Sequence, residues 1–241
     1  MDIPIDFTEL AQLSLLGIQQ ALLDFRLTTL ELDHYVCVRE LLPLGNTVAI
    51  VDLRDNNSVV RKNMLADLAI MHPEQNVIAL RANGTTVQIF NLATKQRLKS
   101  FTVDQPIVYW QWLTSEVLGL VSLNTVYYWN VFDGSNDGPV RLTERHGSLL
   151  NAQIINFVAE PDLNWFAVVG IAQEDGRIAG HIQLFLKLRN VLQAIEGHVC
   201  KFSLVKLEGA AAPTKVFCVG NKNATGQGQL HIIEIDHVEG N

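Results

Sequence analysis

The sequence predicts an all-β fold assembled from repeats, on three observations. A two-strand phrase recurs five times, the two strands of each phrase differ in hydropathy pattern, and helical periodicity is confined to one weak stretch. Each phrase is an apolar strand, a short turn containing Gly, Asn or Asp, and a second strand. The phrases occupy residues 35–53, 77–92, 117–131, 165–186 and 216–235, with starts about 40–50 residues apart. Four short strands per repeat of that period is the spacing of a β-propeller blade. A β-sandwich also supplies short strands and turns, but it does not repeat one phrase five times.

Taken in order, residues 7–23 carry apolar Leu10, Leu13, Leu16 and Ile18 but are broken by Gly17, which predicts a short helix, a strand or an irregular entry. Within the phrases, first strands such as Val-Ile-Ala-Leu (77–80) are nearly all apolar, as expected where both faces are covered. Second strands such as Val-Gln-Ile-Phe (87–90) alternate, as expected nearer solvent. Further strand candidates at 98–103, 108–112 and 154–158 fill the intervals. With no linker, low-complexity tract or charge run, residues 1–241 read as a single propeller domain.

Composition narrows the function classes. Hydrophobic residues make up 48% of the 241 and charged residues 18%, which excludes a disordered tail and a disulfide-stapled mini-domain. Eighteen Lys and Arg against 25 Asp and Glu leave a net charge of −7, so no global basic field exists for nucleic acid. Cys37, Cys200 and Cys218 are odd in number and widely spaced, reading as buried reduced thiols. The acidic start lacks the order of a signal peptide, and no apolar run approaches the roughly 20 residues that span a bilayer. A cytoplasmic protein without direct membrane insertion is the expectation, which makes the sequons at Asn56, Asn83 and Asn223 chance matches.

Catalytic chemistry finds little support: nucleophile-elbow, zinc-protease and phosphate-loop motifs are all missing. The seven histidines fall at unrelated positions beside turns, where hydrogen-bonded surface roles are the expectation. Residues 133–138 (Asp-Gly-Ser-Asn-Asp-Gly) with Glu144 approximate a calcium loop, but the preceding segment reads as strand and Pro139 follows, so a plain turn is favoured. Trp110, Trp112, Trp129 and Trp165 lie in apolar strands with few cations nearby, which favours packing over base stacking. No enzyme activity, cofactor or metal is expected.

One local feature remains. Arg61, Lys62, Arg81, Lys95, Arg97 and Lys99 surround the second phrase, with Val60, Ile78, Gln88 and Phe90 beside them. Converging between the first two blades, they would suit a short extended peptide with bulky apolar side chains and an acidic end. An ordinary solvated face is the alternative.

Several strings carry a resemblance. Asp67-Leu-Ala-Ile-Met-His-Pro73, Val87-Gln-Ile-Phe-Asn91, Gln153-Ile-Ile-Asn156 and Ile195-Glu-Gly-His198 stand in the order and spacing of clathrin heavy chain terminal domains. So do Phe25 with Arg39-Glu40, Arg145-His146 and Leu230-His-Ile-Ile-Glu234, so the chain resembles that family from about residue 3 to residue 236. The resemblance implies a seven-bladed propeller that captures adaptor proteins inside the coat, of which about five blades are present here. It places a clathrin-box groove between blades 1 and 2 on Val60, Lys62, Ile78, Thr86, Gln88, Phe90, Lys95 and Arg97. Lys62 and Arg97 exchange Lys and Arg relative to the commonest family pattern, preserving charge but not planar pairing. An insertion within residues 82–85 is expected to lengthen the turn before Thr86.

A second groove, between blades 4 and 5, carries over to Trp165, Leu184, Arg189, Val191, Gln193 and Ile195. An axial pocket carries over to Phe25, Gln153, Ile155 and Ile171. Implied partners are adaptors bearing short apolar and acidic motifs, at the cytoplasmic face of coated pits and vesicles. Clathrin light chains and heavy-chain trimerisation are expected only through regions outside this chain, which is read as C-terminally incomplete. The alternative is an unrelated scaffold of WD or coatomer type, but none of the five units carries the Gly-His and Trp-Asp phrases of WD repeats together.

Overall fold

The computed structural model describes residues 7–24, 27–31, 34–42, 45–174, 176–206, 213–222 and 225–235. They gather into two compact units, Met1–Asp104 and Gln105–Asn241.

The first unit holds two antiparallel four-stranded meanders. Sheet 1 runs β1 (Thr28–Glu31), β2 (Tyr35–Leu42), β3 (Gly45–Asp52) and β4 (Ser58–Asn63). Sheet 2 runs β5 (Leu68–Met71), β6 (Val77–Ala82), β7 (Thr86–Asn91) and β8 (Gln96–Thr102). The sheets face each other through Cys37, Val48 and Ile50 on one side and Ala69, Met71, Ile78 and Leu80 on the other. The opposite face of sheet 1 is covered by the entry segment, where Ile18, Leu13, Leu16 and Leu22 pack on Val36, Val38, Ala49 and Val51. That segment is two 3-10 turns, Leu13–Leu16 and Gln20–Leu22. Gly17 ends the first in the left-handed region (φ 76°), which is why the apolar spacing never becomes a helix.

The second unit holds three sheets. Sheet 3 comprises β9 (Ile107–Trp112), β10 (Val117–Ser122), β11 (Thr125–Asn130) and β12 (Val140–Glu144). Sheet 4 comprises β13 (Gln153–Ala159), β14 (Trp165–Glu174), β15 (Arg177–Leu186) and β16 (Val191–Glu196). Sheet 5 has three described strands, β17 (Val199–Val205), β18 (Thr214–Lys222) and β19 (Gly228–Glu234). Phe157, Phe166 and Phe185 of sheet 4 meet Val121, Val126 and Leu142 of sheet 3. Gly119 is required there: a Cβ would stand 2.5 Å from the Phe157 ring. The other face of sheet 4 packs Ala167, Val169, Ile182 and Leu184 on Cys200, Phe202, Phe217 and Val219 of sheet 5. Each fully buried side chain of this kind contributes about 1.5–3 kcal/mol, so the face-to-face stacking of sheets is the main source of cohesion.

Each repeated phrase is a hairpin: β2–β3, β6–β7, β10–β11 and β14–β15 are the central pairs of their sheets, and β18–β19 is the second pair of the three described strands of sheet 5. The architecture is the all-β, propeller-type fold that the repeats predict.

Candidate functional site

The first groove lies in the first unit, where β4 meets the edge of sheet 2. Register places Ser58, Val60 and Lys62 opposite Asp52, Ile50 and Val48, so these three side chains share the face turned toward sheet 2. Val60 is 46% exposed although its neighbour across the ladder is core. A cleft of about 270 Å³ opens beside it, lined by Tyr35, Ile50, Asp52, Ser58, Val60 and Lys62 of sheet 1, Asp55 of its β3–β4 turn, Met71 of sheet 2, and Asn76 and Leu92 in the turns of sheet 2.

Sheet 2 supplies the facing wall. Alternation along β7 buries Val87 and Ile89 on one face and leaves Thr86, Gln88 and Phe90 half-buried on the other. Phe90 pairs with Ile78, packs against the core shared by the two sheets, and lies opposite Arg97. A β-bulge at Leu98 sets that last pairing: Arg97 faces Phe90, while Lys99 faces Ile89 on the reverse side. Lys95 sits in the β7–β8 turn with positive φ (57°), exposed, and Asn91 Oδ1 accepts the Ala93 and Thr94 N–H groups to fix that turn. Asn83 and Gly84, in the turn before Thr86, are both left-handed, and Asp67 Oδ2 accepts the Gly84 N–H at 2.6 Å. Thr86 stays registered on β8, its Oγ1 2.9 Å from Thr102 Oγ1.

Three expected groove cations lie elsewhere: Lys99 on the reverse side, Arg61 and Arg81. Arg61, one residue before Lys62, points to the opposite face of β4. Its Nε and Nη2 donate to the Glu40 carboxylate at 3.0 and 3.2 Å, and Nη2 also donates to the Gly17 carbonyl. Glu40 is 3% exposed and also accepts from Thr47 Oγ1, so Arg61 is the counter-charge of a buried carboxylate. Arg81 lies opposite Val87, and its pKa is lowered chiefly by burial, with Asp67 opposing the shift. Lys62, Lys95 and Arg97 remain as the groove cations. Ile78, which pairs with Phe90, is wholly buried.

The second groove lies in the second unit. Trp165 pairs with Leu186, Leu186 with Val191, Leu184 with Gln193 and Ile182 with Ile195, which puts Trp165, Leu184, Val191, Gln193 and Ile195 on the face turned toward sheet 5. Val191 and Gln193 are exposed, and Trp165 and Ile195 are half-buried. Arg189 is exposed in the β15–β16 turn. Leu184, 6% exposed, is buried.

Ties at both ends hold sheets 4 and 5 together. At the Trp165 end, Lys215 Nζ of β18 reaches Glu160 Oε1 and Asp162 Oδ2, each at 2.6 Å. Hydrogen bonding to Lys215 pulls the Asp162 pKa below its ordinary value, and the same carboxylates push the Lys215 pKa up. At the other end, the His198 ring bridges Asn221 Oδ1 and the Ile178 carbonyl, both at 3.1 Å.

For the axial set, Phe25 lies outside the described residues. Gln153 pairs directly with Ile171, and a register shift between Ile154 and Asn156 makes Ile155 a bulge residue, 38% exposed. The remaining chemistry-bearing residues do structural work. Asp133 Oδ1 accepts from the Ser135 N–H and Oγ, a self-closed turn. His72 Nδ1 accepts the Glu74 and Gln75 N–H groups, and the His146 ring caps the turn at Gly147–Leu150. Trp110, Trp112 and Trp129 are buried, leaving Trp165 as the half-exposed tryptophan.

Sequence reasoning missed Tyr35, Asp52, Met71, Asn76 and Leu92 in the first cleft and the Lys215 tie beside the second. Period-two alternation separates Arg61 from Lys62 without coordinates. No local signal joins Lys215 to Glu160, 55 positions earlier in the chain.

No protein-family model matches the sequence. The chain is 38% identical over 234 residues to a probable clathrin heavy chain of Schizosaccharomyces pombe, an alignment covering 97% of this chain and 14% of that protein. It is 39% identical over 233 residues to the clathrin heavy chain of Drosophila melanogaster and 37% over 233 residues to clathrin heavy chain 2 of Homo sapiens, with the same coverages. The chain thus spans about 14% of the length of the curated relatives it matches. Among solved structures, the WD40 domain of Toxoplasma gondii coronin aligns with a TM-score of 0.50 at 14% identity, covering 85% of this chain and 57% of that one. At that identity the likeness concerns the propeller fold alone.

Proposed function

Because the chain belongs to the clathrin heavy chain family along nearly its whole length, we propose that it is a non-enzymatic adaptor-binding platform of a vesicle coat. Its ligands are short extended segments with bulky apolar side chains and an acidic end, presented by adaptor proteins at the cytoplasmic face of coated membranes. The observation that carries this reading is the first groove. Exposed Val60 stands beside Lys62 over buried Ile50 and Met71 in the cleft, while half-buried Phe90 packs on the core shared by the two sheets, with Arg97 opposite it and Lys95 in the following turn.

Such a groove works by complementarity, with no bond made or broken. An extended peptide places alternate side chains against the apolar walls while its carboxylate approaches exposed Lys95 and Arg97 and half-buried Lys62. Gln88, half-buried beside Phe90, supplies an amide for the peptide backbone. The cations are solvent-screened, so each ion pair adds only about 0.2–1 kcal/mol. Affinity on the order of micromolar, about −8 kcal/mol, follows for a contact of this size. Many domains meeting many motifs on one membrane raise the effective strength without new contacts. The second groove, with Trp165, Val191, Gln193 and Ile195 at its surface and Arg189 in the adjoining turn, is proposed as a further site for a related segment.

Combining Gln88→Ala with Lys95→Glu is the direct test. Fluorescence anisotropy with a leucine-rich, aspartate-ended peptide is expected to show at least a tenfold loss. Unchanged affinity in that double variant rules out the first groove as the site.

A further inference from the structure

We infer that Lys215 is a positioning residue for the second groove: its clamp on Glu160 and Asp162 holds Trp165 against sheet 5. The inference rests on the reading of that groove as a peptide site.

Glu160 follows the last residue of β13, Ala159, and opens the turn into β14, of which Trp165 is the first residue. The turn is closed by its own backbone. The Glu160 N–H donates to the Trp165 carbonyl at 2.9 Å, and the Leu163 N–H, from a left-handed residue, donates to the Glu160 carbonyl at 2.8 Å. Trp165 therefore moves with Glu160. Glu160 is 2% exposed, and its Oε2 is buried without a hydrogen-bond partner. A carboxylate placed this way needs a counter-charge, and Lys215 Nζ supplies it from sheet 5 at 2.6 Å.

Lys215 is itself fixed: its residue pairs with Leu204 across β17, and its carbonyl accepts the Ile235 N–H. A single cation on sheet 5 thus locks the turn that sets the position of the Trp165 indole, which packs against the core shared by sheets 4 and 5. Without the clamp the turn has no ionic tie to sheet 5 among the described residues, and the Trp165 wall loses its fixed distance from the facing sheet. A peptide must then restore that geometry on binding, which lowers affinity.

The experiment uses the full chain labelled with fluorotryptophan, with the Trp165 fluorine resonance assigned by Trp165→Phe. Lys215→Met removes the charge. Glu160→Gln combined with Lys215→Met removes the clamp without stranding a buried carboxylate, so a folded sample is secured. The expected result is a shifted, broadened Trp165 resonance in both, unmoved resonances for the other tryptophans, and recovery in Lys215→Arg. In a Gln88→Ala/Lys95→Glu background, which disables the first groove, affinity for the same leucine-rich, aspartate-ended peptide falls about tenfold on loss of the clamp. An unmoved Trp165 resonance in the folded double variant overturns the inference, as does a moved resonance with undiminished second-groove affinity. If the background protein binds no peptide at all, the second-groove reading fails, and with it the affinity part of the inference. The Trp165 resonance then decides the positional part alone, supporting it if it moves and overturning it if it does not.

Discussion

Arg61→Met separates the structural cation from those proposed to meet the ligand, and its cost follows from the geometry. The guanidinium makes a two-pronged contact with Glu40 and a third hydrogen bond to the Gly17 carbonyl. Met preserves most of the stem but leaves Glu40 with the Thr47 hydroxyl alone. Breaking a fully buried pair costs about 3–5 kcal/mol. Arg61 is 38% exposed, so water takes up part of the lost solvation and about 2 kcal/mol is the fitting figure. For a chain of this size that lowers the melting midpoint by about 4–8 °C. Thermal and urea melts measure the loss, and anisotropy with an aspartate-ended peptide measures the groove. The expectation is a less stable protein with unaltered peptide affinity, and partial recovery when Glu40→Gln is added. An unshifted melt combined with an affinity loss above about threefold refutes the assignment and returns Arg61 to the ligand site.

Three further outcomes follow from the packing and the charges. Gly180→Ala drives a Cβ into the backbone of Gly197 and His198, which cannot yield as a side-chain tip would, and a loss of about 3 kcal/mol centred on sheets 4 and 5 is expected by hydrogen exchange. The Lys215 clamp is acid-sensitive. A depressed Asp162 pKa contributes stability above the normal carboxylate range near 4 and loses it as pH falls through the lower folded value, so Lys215→Met flattens that part of the stability–pH curve; an identical curve argues against the clamp. Burial pushes the Cys200 thiol up to about 12, so a disulfide reagent at pH 8 should modify half-buried Cys218 first and Cys200 only on unfolding.

The parts of the fold legible in the sequence are those with two-sided burial. Strands β6 and β10 are buried along most of their length, so their apolar runs stand out, and the turns between central strands carry Gly and Asn. Strands such as β8 and β16 are almost wholly exposed, and β1 and β5 span four residues each, too short for a periodicity to register. The candidate groove was legible through alternation: Gln88 and Phe90 share a face because they are two apart on a strand. Pairing across strands was not legible. The bulge at Leu98 turns Arg97 and Lys99 to opposite faces, although their spacing alone puts them together. The burial of Ile78 and Leu184 reflects sheets stacking over them, which no residue near them in sequence reveals.

In the proposed slot, apolar walls select bulky side chains and cations select a terminal carboxylate. Titrating the protein with two peptides that differ only in an aspartate or an asparagine at the acidic position tests this most directly. Saturable binding of the aspartate peptide, with the asparagine peptide weaker by about fivefold and the gap narrowing as salt rises, is the predicted result. Equal affinities for the two peptides at low salt, or no saturable binding of either, contradict it.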